Sequence, residues 1–152
     1  MSGRSILLVE DSADDAALMV RAFRSEGLAV DVNVAFDGDE ALARLLDSSR
    51  RLTAALPAVV LLDLKLPGID GFEVLRRIRT DPATRHLPVV ILTSSTEPGD
   101  LVRAYQMGAN SYVRKPMAFR NLLTATRQIA DYWLLLNELP ADAPADDPDT
   151  PR

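Results

Sequence analysis

The stretch ILLVEDSADD, Ile6 to Asp15, runs an apolar segment straight into Glu10 and Asp11, with Asp14 and Asp15 close behind. Two like charges about 4 Å apart in a folded protein repel by about 4 kcal/mol at an effective dielectric near 20. A hydrophobic strand that ends in this way therefore needs a cation to offset its acids. Two other segments have the same design: VVLLD ends on Asp63 and PVVILT ends on Thr93. SILLVE, VVLLD and PVVILT are nearly continuous Val, Ile and Leu, as strands covered on both faces are.

Segments of helical period separate these strands, the pattern of βα units that build a parallel sheet. LAVDVNVAF and NSYVRK are less apolar and suit the sheet edges. In the first helix, Ser12 and Asp15 read as a capping box and Gly27 as a stop. The second follows Asp37-Gly38 and carries Ala41, Leu42, Leu45 and Leu46 on one stripe. The third spans Gly71 to Arg79 and ends at Asp81-Pro82, because a residue before proline avoids helical geometry. The fourth lies between Gly99 and Gly108. The last starts after Lys115-Pro116 and repeats Phe119, Leu122, Leu123, Ile129, Trp133 and Leu134 toward the sheet. The expected fold is α/β, a doubly wound five-stranded parallel sheet. Residues 1–139 form the domain with its extended last helix, and PADAPADDPDTPR, residues 140–152, is a disordered tail too polar and proline-interrupted to pack.

A chain of 152 residues with 47% hydrophobic content suits one domain with a real core. Cys is absent, which excludes disulfides, zinc thiolates and thiol catalysis and suits a reducing cytoplasm. No segment approaches the roughly 20 apolar residues of a membrane-spanning helix, so the expectation is a soluble, cytoplasmic protein. A net charge of -5 argues against a broad nucleic-acid surface. The pairs Arg50-Arg51 and Arg76-Arg77 read as solvated helix faces, and His86, the only histidine, as a loop residue.

Open parallel sheets bind ligands outside the carboxyl ends of their strands, where strand order reverses. Glu10 and Asp11 follow the first strand, Asp63 the third, Thr93 ends the fourth and Lys115 follows the fifth. Taken singly, Asp11 could be a helix cap, Thr93 a turn hydroxyl and Lys115 a solvated charge. Independent caps need not gather at one end of adjacent strands, and the conjunction points to a site. Such a carboxylate trio suits Mg²⁺, a hard cation that takes oxygen ligands. With Lys115 beside it, the ion would offset the acids of the opening segment.

These residues resemble the receiver domains of bacterial two-component response regulators. The matching motifs are Glu10-Asp11, LLDLKLPGIDGFEVL around Asp63, VVILTSS with Thr93, and GANSYVRKP with Tyr112, Lys115 and Pro116. The resemblance covers about Ser5 to the end of the last helix and implies the flavodoxin-like, CheY-like receiver fold. It implies that Asp63 accepts a phosphoryl group from a phosphohistidine on a sensor histidine kinase. Mg²⁺ would be held by Glu10, Asp11, Asp63 and the backbone carbonyl of Lys65. Thr93 and Lys115 would bind phosphoryl oxygens, and Tyr112 would change its burial as Thr93 moves. Phosphorylation adds about -1.5 to -2 charge, which gives those groups something to close upon.

Lys65 stands two residues after the acceptor, where the family varies, and either lies over the phosphoryl group or faces solvent with only its backbone in use. The length leaves no room for an output module, so output is expected through a partner, or the chain acts as an intermediate carrier in a multistep phosphorelay. DYWLLLNELP, VEDSADDAAL and LLDSSRRLTAALP look like the single-domain regulators paired with phytochrome-type kinases, whose members tend to dimerise through the face of the fourth helix, fifth strand and fifth helix. Tyr132, Trp133, Leu135, Leu136 and Leu139 exceed what one packed face needs and are the expected homodimer interface.

Three rivals fit less well. An aspartate-nucleophile phosphatase resembles its relatives in a second Asp two residues on, where this chain has Lys65, so the chain is not expected to be an enzyme. A nucleotide or flavin module would want a glycine-rich loop where EDSADD supplies acids. A degenerate receiver would lack site residues that this chain has.

Overall fold

The computed structural model describes residues 4–25, 30–47 and 56–139. The expected stop at Gly27, the Arg50-Arg51 pair and the tail from residue 140 lie outside them. The elements in chain order are β1 (Ser5–Val9), α1 (Ala13–Ser25), β2 (Asp31–Ala35), α2 (Gly38–Leu46), β3 (Val59–Leu62), α3 (Gly71–Thr80), β4 (Val89–Thr93), α4 (Pro98–Gln106), β5 (Ser111–Arg114) and α5 (Phe119–Ala130), which continues as a π-helical segment (Asp131–Leu136). All strand pairs are parallel and the sheet order is β2-β1-β3-β4-β5. The two weaker strands are the edges, as their polarity predicts.

The central strands show why their sequences are apolar throughout. Leu7 and Val9, Val60 and Leu62, and Val89 and Ile91 face one core with α2, α3 and Ala104 of α4. Ile6 and Leu8, Val59 and Leu61, and Val90 and Leu92 face a second core with α1 and α5. Successive strand side chains point to opposite faces, so a sheet with helices on both sides needs every position apolar.

Helix starts follow the capping chemistry of the sequence. Glu40 N–H donates to Asp37 Oδ1 at 2.7 Å and Glu73 N–H donates to Asp70 Oδ1 at 3.0 Å, each satisfying an otherwise orphaned first-turn donor. α4 has Pro98 at its start, where its missing N–H costs nothing. It ends before Gly108, whose φ of 100° favours glycine.

The capping box at α1 forms by half. Asp15 N–H donates to Ser12 Oγ at 3.2 Å, but Ser12 N–H donates to Glu10 Oε1 at 3.1 Å, and the Asp15 carboxylate turns to Lys115. A tertiary ion pair has displaced a local hydrogen bond.

Two expectations for the last helix change. Phe119, read as docking on the sheet, is exposed because it begins the helix and precedes the packed face that Leu122 opens. Beyond Ala130 the hydrogen bonding shifts toward the wider i→i+5 turn, as in Asn137 N–H to Tyr132 O at 2.7 Å. This shift rephases the side chains. Leu134 is buried, Trp133 and Leu139 rest half-buried on the second core, and Tyr132, Leu135 and Leu136 remain exposed. Among the described residues no helix is long and apolar enough to cross a membrane.

Candidate functional site

The strand order reverses between β1 and β3, and Glu10, Asp11 and Asp63 gather there with Lys115. The sheet ladder extends one residue past each strand and fixes their backbones. Glu10 N–H donates to Ala35 O at 3.0 Å, Asp63 N–H to Val9 O at 3.1 Å, and Lys115 N–H to Thr93 O at 2.7 Å. Each functional side chain thus leaves a backbone that cannot shift without breaking the sheet.

Glu10, Asp11 and Asp63 each offer a carboxylate oxygen, all within 4.8 Å of one another. Glu10 and Asp63 are buried and Asp11 is exposed. Unit charges at that spacing repel by about 3.5 kcal/mol per pair at an effective dielectric near 20. Lys115, with 10% of its side chain exposed, reaches in from β5. Its Nζ donates to Glu10 Oε2 at 2.5 Å, to Asp15 Oδ2 at 3.2 Å and to Asp63 Oδ2 at 3.4 Å. Three carboxylates and one ammonium leave two negative charges, which is the charge a divalent cation would balance. The all-oxygen donor set fits a hard ion such as Mg²⁺.

Burial pushes the Glu10 carboxyl above its ordinary value, against hydrogen bonds from Lys115 and Ser12 N–H. Burial also works to lower the Lys115 pKa, but its hydrogen bond to Glu10 and the charges of Glu10 and Asp63 outweigh that and raise it. The ammonium stays charged, as its position among carboxylates requires.

Thr93 is wholly buried at the end of β4. Its Oγ1 accepts Ser95 N–H at 3.3 Å, while Ser95 Oγ donates to Asp100 Oδ2 at 2.5 Å in the first turn of α4. Half-buried Tyr112 joins this group: burial raises its phenol pKa, and a hydrogen bond with Ser95 partly counters the rise. Thr93 is therefore tied through Ser95 to both α4 and β5. Lys65 has an exposed side chain, and its N–H donates to Asp63 Oδ1 at 3.2 Å. His86 lies exposed and outside the acidic cluster. Arg76 and Arg77 are exposed and pair with Glu73 at 2.6 and 3.0 Å.

Four contributors were not legible as such. Gly71 reads as a helix start, yet a Cβ there would lie 2.3 Å from Asp63 O and 2.7 Å from Leu64 Cα. Asp15 reads as a capping residue, and Ser95 with Asp100 as ordinary loop and helix polarity. The Asp-Gly pair after LPGI is a signal for Gly71; the others depend on contacts made only in the folded chain.

The response regulator receiver domain family matches residues 6–127. The chain belongs to that family. This receiver is 44% identical over 140 residues to the probable methanogenesis regulatory protein FilR2 of Methanothrix harundinacea, covering 91% of this chain and 88% of that one. It is also similar to single-domain phytochrome response regulators. The phosphorylated cyanobacterial phytochrome response regulator RcpA is 34% identical with a TM-score of 0.86, covering 91% of this chain and 99% of that one. The Mn²⁺-bound form of response regulator Rcp1, a Synechocystis protein, is 33% identical with a TM-score of 0.83, covering 90% and 99%. The fold is the CheY-like, flavodoxin-like receiver fold that the motifs implied.

Proposed function

We propose that this receiver takes a phosphoryl group on Asp63 from a phosphohistidine of a sensor histidine kinase, and that the kinase is of the phytochrome type. The observation that carries the reading is the buried Asp63 carboxylate, 3.4 Å from the Lys115 ammonium and grouped with Glu10 and Asp11. A carboxylate oxygen of Asp63 bonds to phosphorus as the donor's P–N bond breaks, and the imidazole leaves with that electron pair. Charge spreads over the equatorial oxygens in such transfers, so fixed cations are the main help a protein can give. Lys115 supplies one. Glu10, Asp11, Asp63 and the Lys65 carbonyl would hold Mg²⁺, which when bound supplies further positive charge beside the phosphoryl oxygens.

Thr93 then leaves Ser95 N–H and donates its hydroxyl to a phosphoryl oxygen, and Tyr112 follows the space it vacates. That rearrangement of β4, α4 and β5 is the signal to a partner, and the chain works in the cytoplasm without turning over a substrate. Exposed Leu101, Val102 and Tyr105 on α4 and Tyr132, Leu135 and Leu136 beyond α5 support a homodimer through the α4-β5-α5 face, with Trp133 and Leu139 backing it from the core side. Incubation with Mg²⁺ and a small phosphodonor, followed by intact mass, tests the acceptor. Wild type gains one phosphate and Asp63→Asn gains none; equal labelling of both would move the acceptor elsewhere.

A further inference from the structure

We infer that Asp15 is a positioning residue that holds part of the Lys115 ammonium away from the phosphoryl site and so weakens this receiver's hold on a phosphoryl group. The inference rests on the acceptor reading of Asp63. Lys115 has three carboxylate neighbours, and the two closest, Glu10 at 2.5 Å and Asp15 at 3.2 Å, belong to the β1–α1 segment; Asp63 is the farthest at 3.4 Å. Glu10, Asp11, Asp63 and Lys115 already sum to the charge that one divalent ion balances. Asp15 is a surplus anion with no place in that balance.

Its backbone N–H is satisfied by Ser12 Oγ and its carboxylate is free of the helix cap. Among the described residues, the ion pair with Lys115 is the one contact its carboxylate makes. A phosphoryl group on Asp63 must draw the ammonium toward itself, and it adds charge that Asp15 repels. Asp15 therefore opposes the phosphorylated state twice, by competing for Lys115 and by its own sign. Asp15 and Lys115 also share the wall of a recess with Leu18, Met117 and Phe119.

The test is equilibrium binding of beryllofluoride with Mg²⁺, by calorimetry, to wild type, Asp15→Asn, Lys115→Ala and the double variant. Because the Asp15 side chain is 36% exposed, the loss of a partly screened ion pair should tighten binding about threefold in Asp15→Asn. With Lys115→Ala as background the same change should have less than about half that effect, since the competitor has nothing to compete for. A metal-free readout accompanies it: the Lys115 ammonium protons, seen by nitrogen-edited NMR, should exchange with water faster in Asp15→Asn. Unchanged or weaker binding in Asp15→Asn overturns the inference, as does equal tightening with and without Lys115, or unaltered ammonium exchange. Failure of wild type to bind beryllofluoride would overturn the acceptor reading and this inference together, and is a different result from any of these.

Discussion

Gly71 offers the sharpest test of how this fold holds its acceptor. In Gly71→Ala the added methyl would meet Asp63 O at 2.3 Å, Leu64 Cα at 2.7 Å and Asp63 C at 3.0 Å. All three are backbone atoms, so no side chain can swing aside. Gly71 has no positive φ, and the demand is for space alone. Ordinary contact begins at 3.4 Å, so the start of α3 and the Asp63 peptide must part by about 1 Å. Overpacking costs about 1–3 kcal/mol, and immovable neighbours place this case near 3 kcal/mol. Glycine replacement in a helix would return at most about 1 kcal/mol, leaving a net loss of about 2 kcal/mol. The same shift moves the Asp63 carboxylate, and misplacement of a reacting group by about 1 Å can cost about a hundredfold in rate. Urea denaturation measures the first effect and the initial rate of labelling by a small phosphodonor the second. Gly99→Ala is the control, since nothing lies within 4 Å of its Cβ; it should match wild type in both assays. A Gly71→Ala protein as stable and as readily labelled as wild type would refute the packing argument.

Arg79 donates to Gly108 O at 2.9 Å, Leu87 O at 2.7 Å, Arg85 O at 3.1 Å and Asn110 Oδ1 at 2.8 Å, tying α3 to the loops before β4 and β5. Arg79→Ala should cost about 3 kcal/mol in urea denaturation, because it strands part-buried acceptors; a loss under about 1 kcal/mol would mean water replaces the side chain freely. Hydrogen bonds from Arg76 and Arg77 hold Glu73 down to about 2 from the usual 4.5. A depressed carboxylate contributes stability above its unfolded value and loses it as pH falls through its folded one. Glu73→Gln should therefore melt below wild type above pH 4.5, and the two should converge as pH falls toward about 2; a constant gap would contradict the pairing. Leu136→Asp should halve the mass seen by light scattering if the exposed strip joins two copies, and identical monomer masses for variant and wild type would end the homodimer proposal.

Much of this protein was readable before its fold was known. The central strands had to be apolar at every position because helices cover both faces of the sheet, so their number and order in the chain show in the sequence. Residues that end those strands fall on one rim by strand periodicity, which placed Glu10, Asp11, Asp63, Thr93 and Lys115 together. Helix starts at Asp37 and Asp70 are local hydrogen-bond chemistry and were equally legible. Contacts between distant segments were not. The turn of Asp15 from its own helix to Lys115, one hundred residues away, depends on where β5 lies. The demand for glycine at 71 depends on how closely α3 approaches the Asp63 peptide. The half-burial of Trp133 and Leu139, which the sequence had grouped with exposed Leu135 and Leu136, depends on a widened turn that no apolar spacing announced. Local propensity and periodicity are carried by neighbouring residues, whereas close approach and the choice between competing ion pairs exist only once the chain has brought remote atoms together.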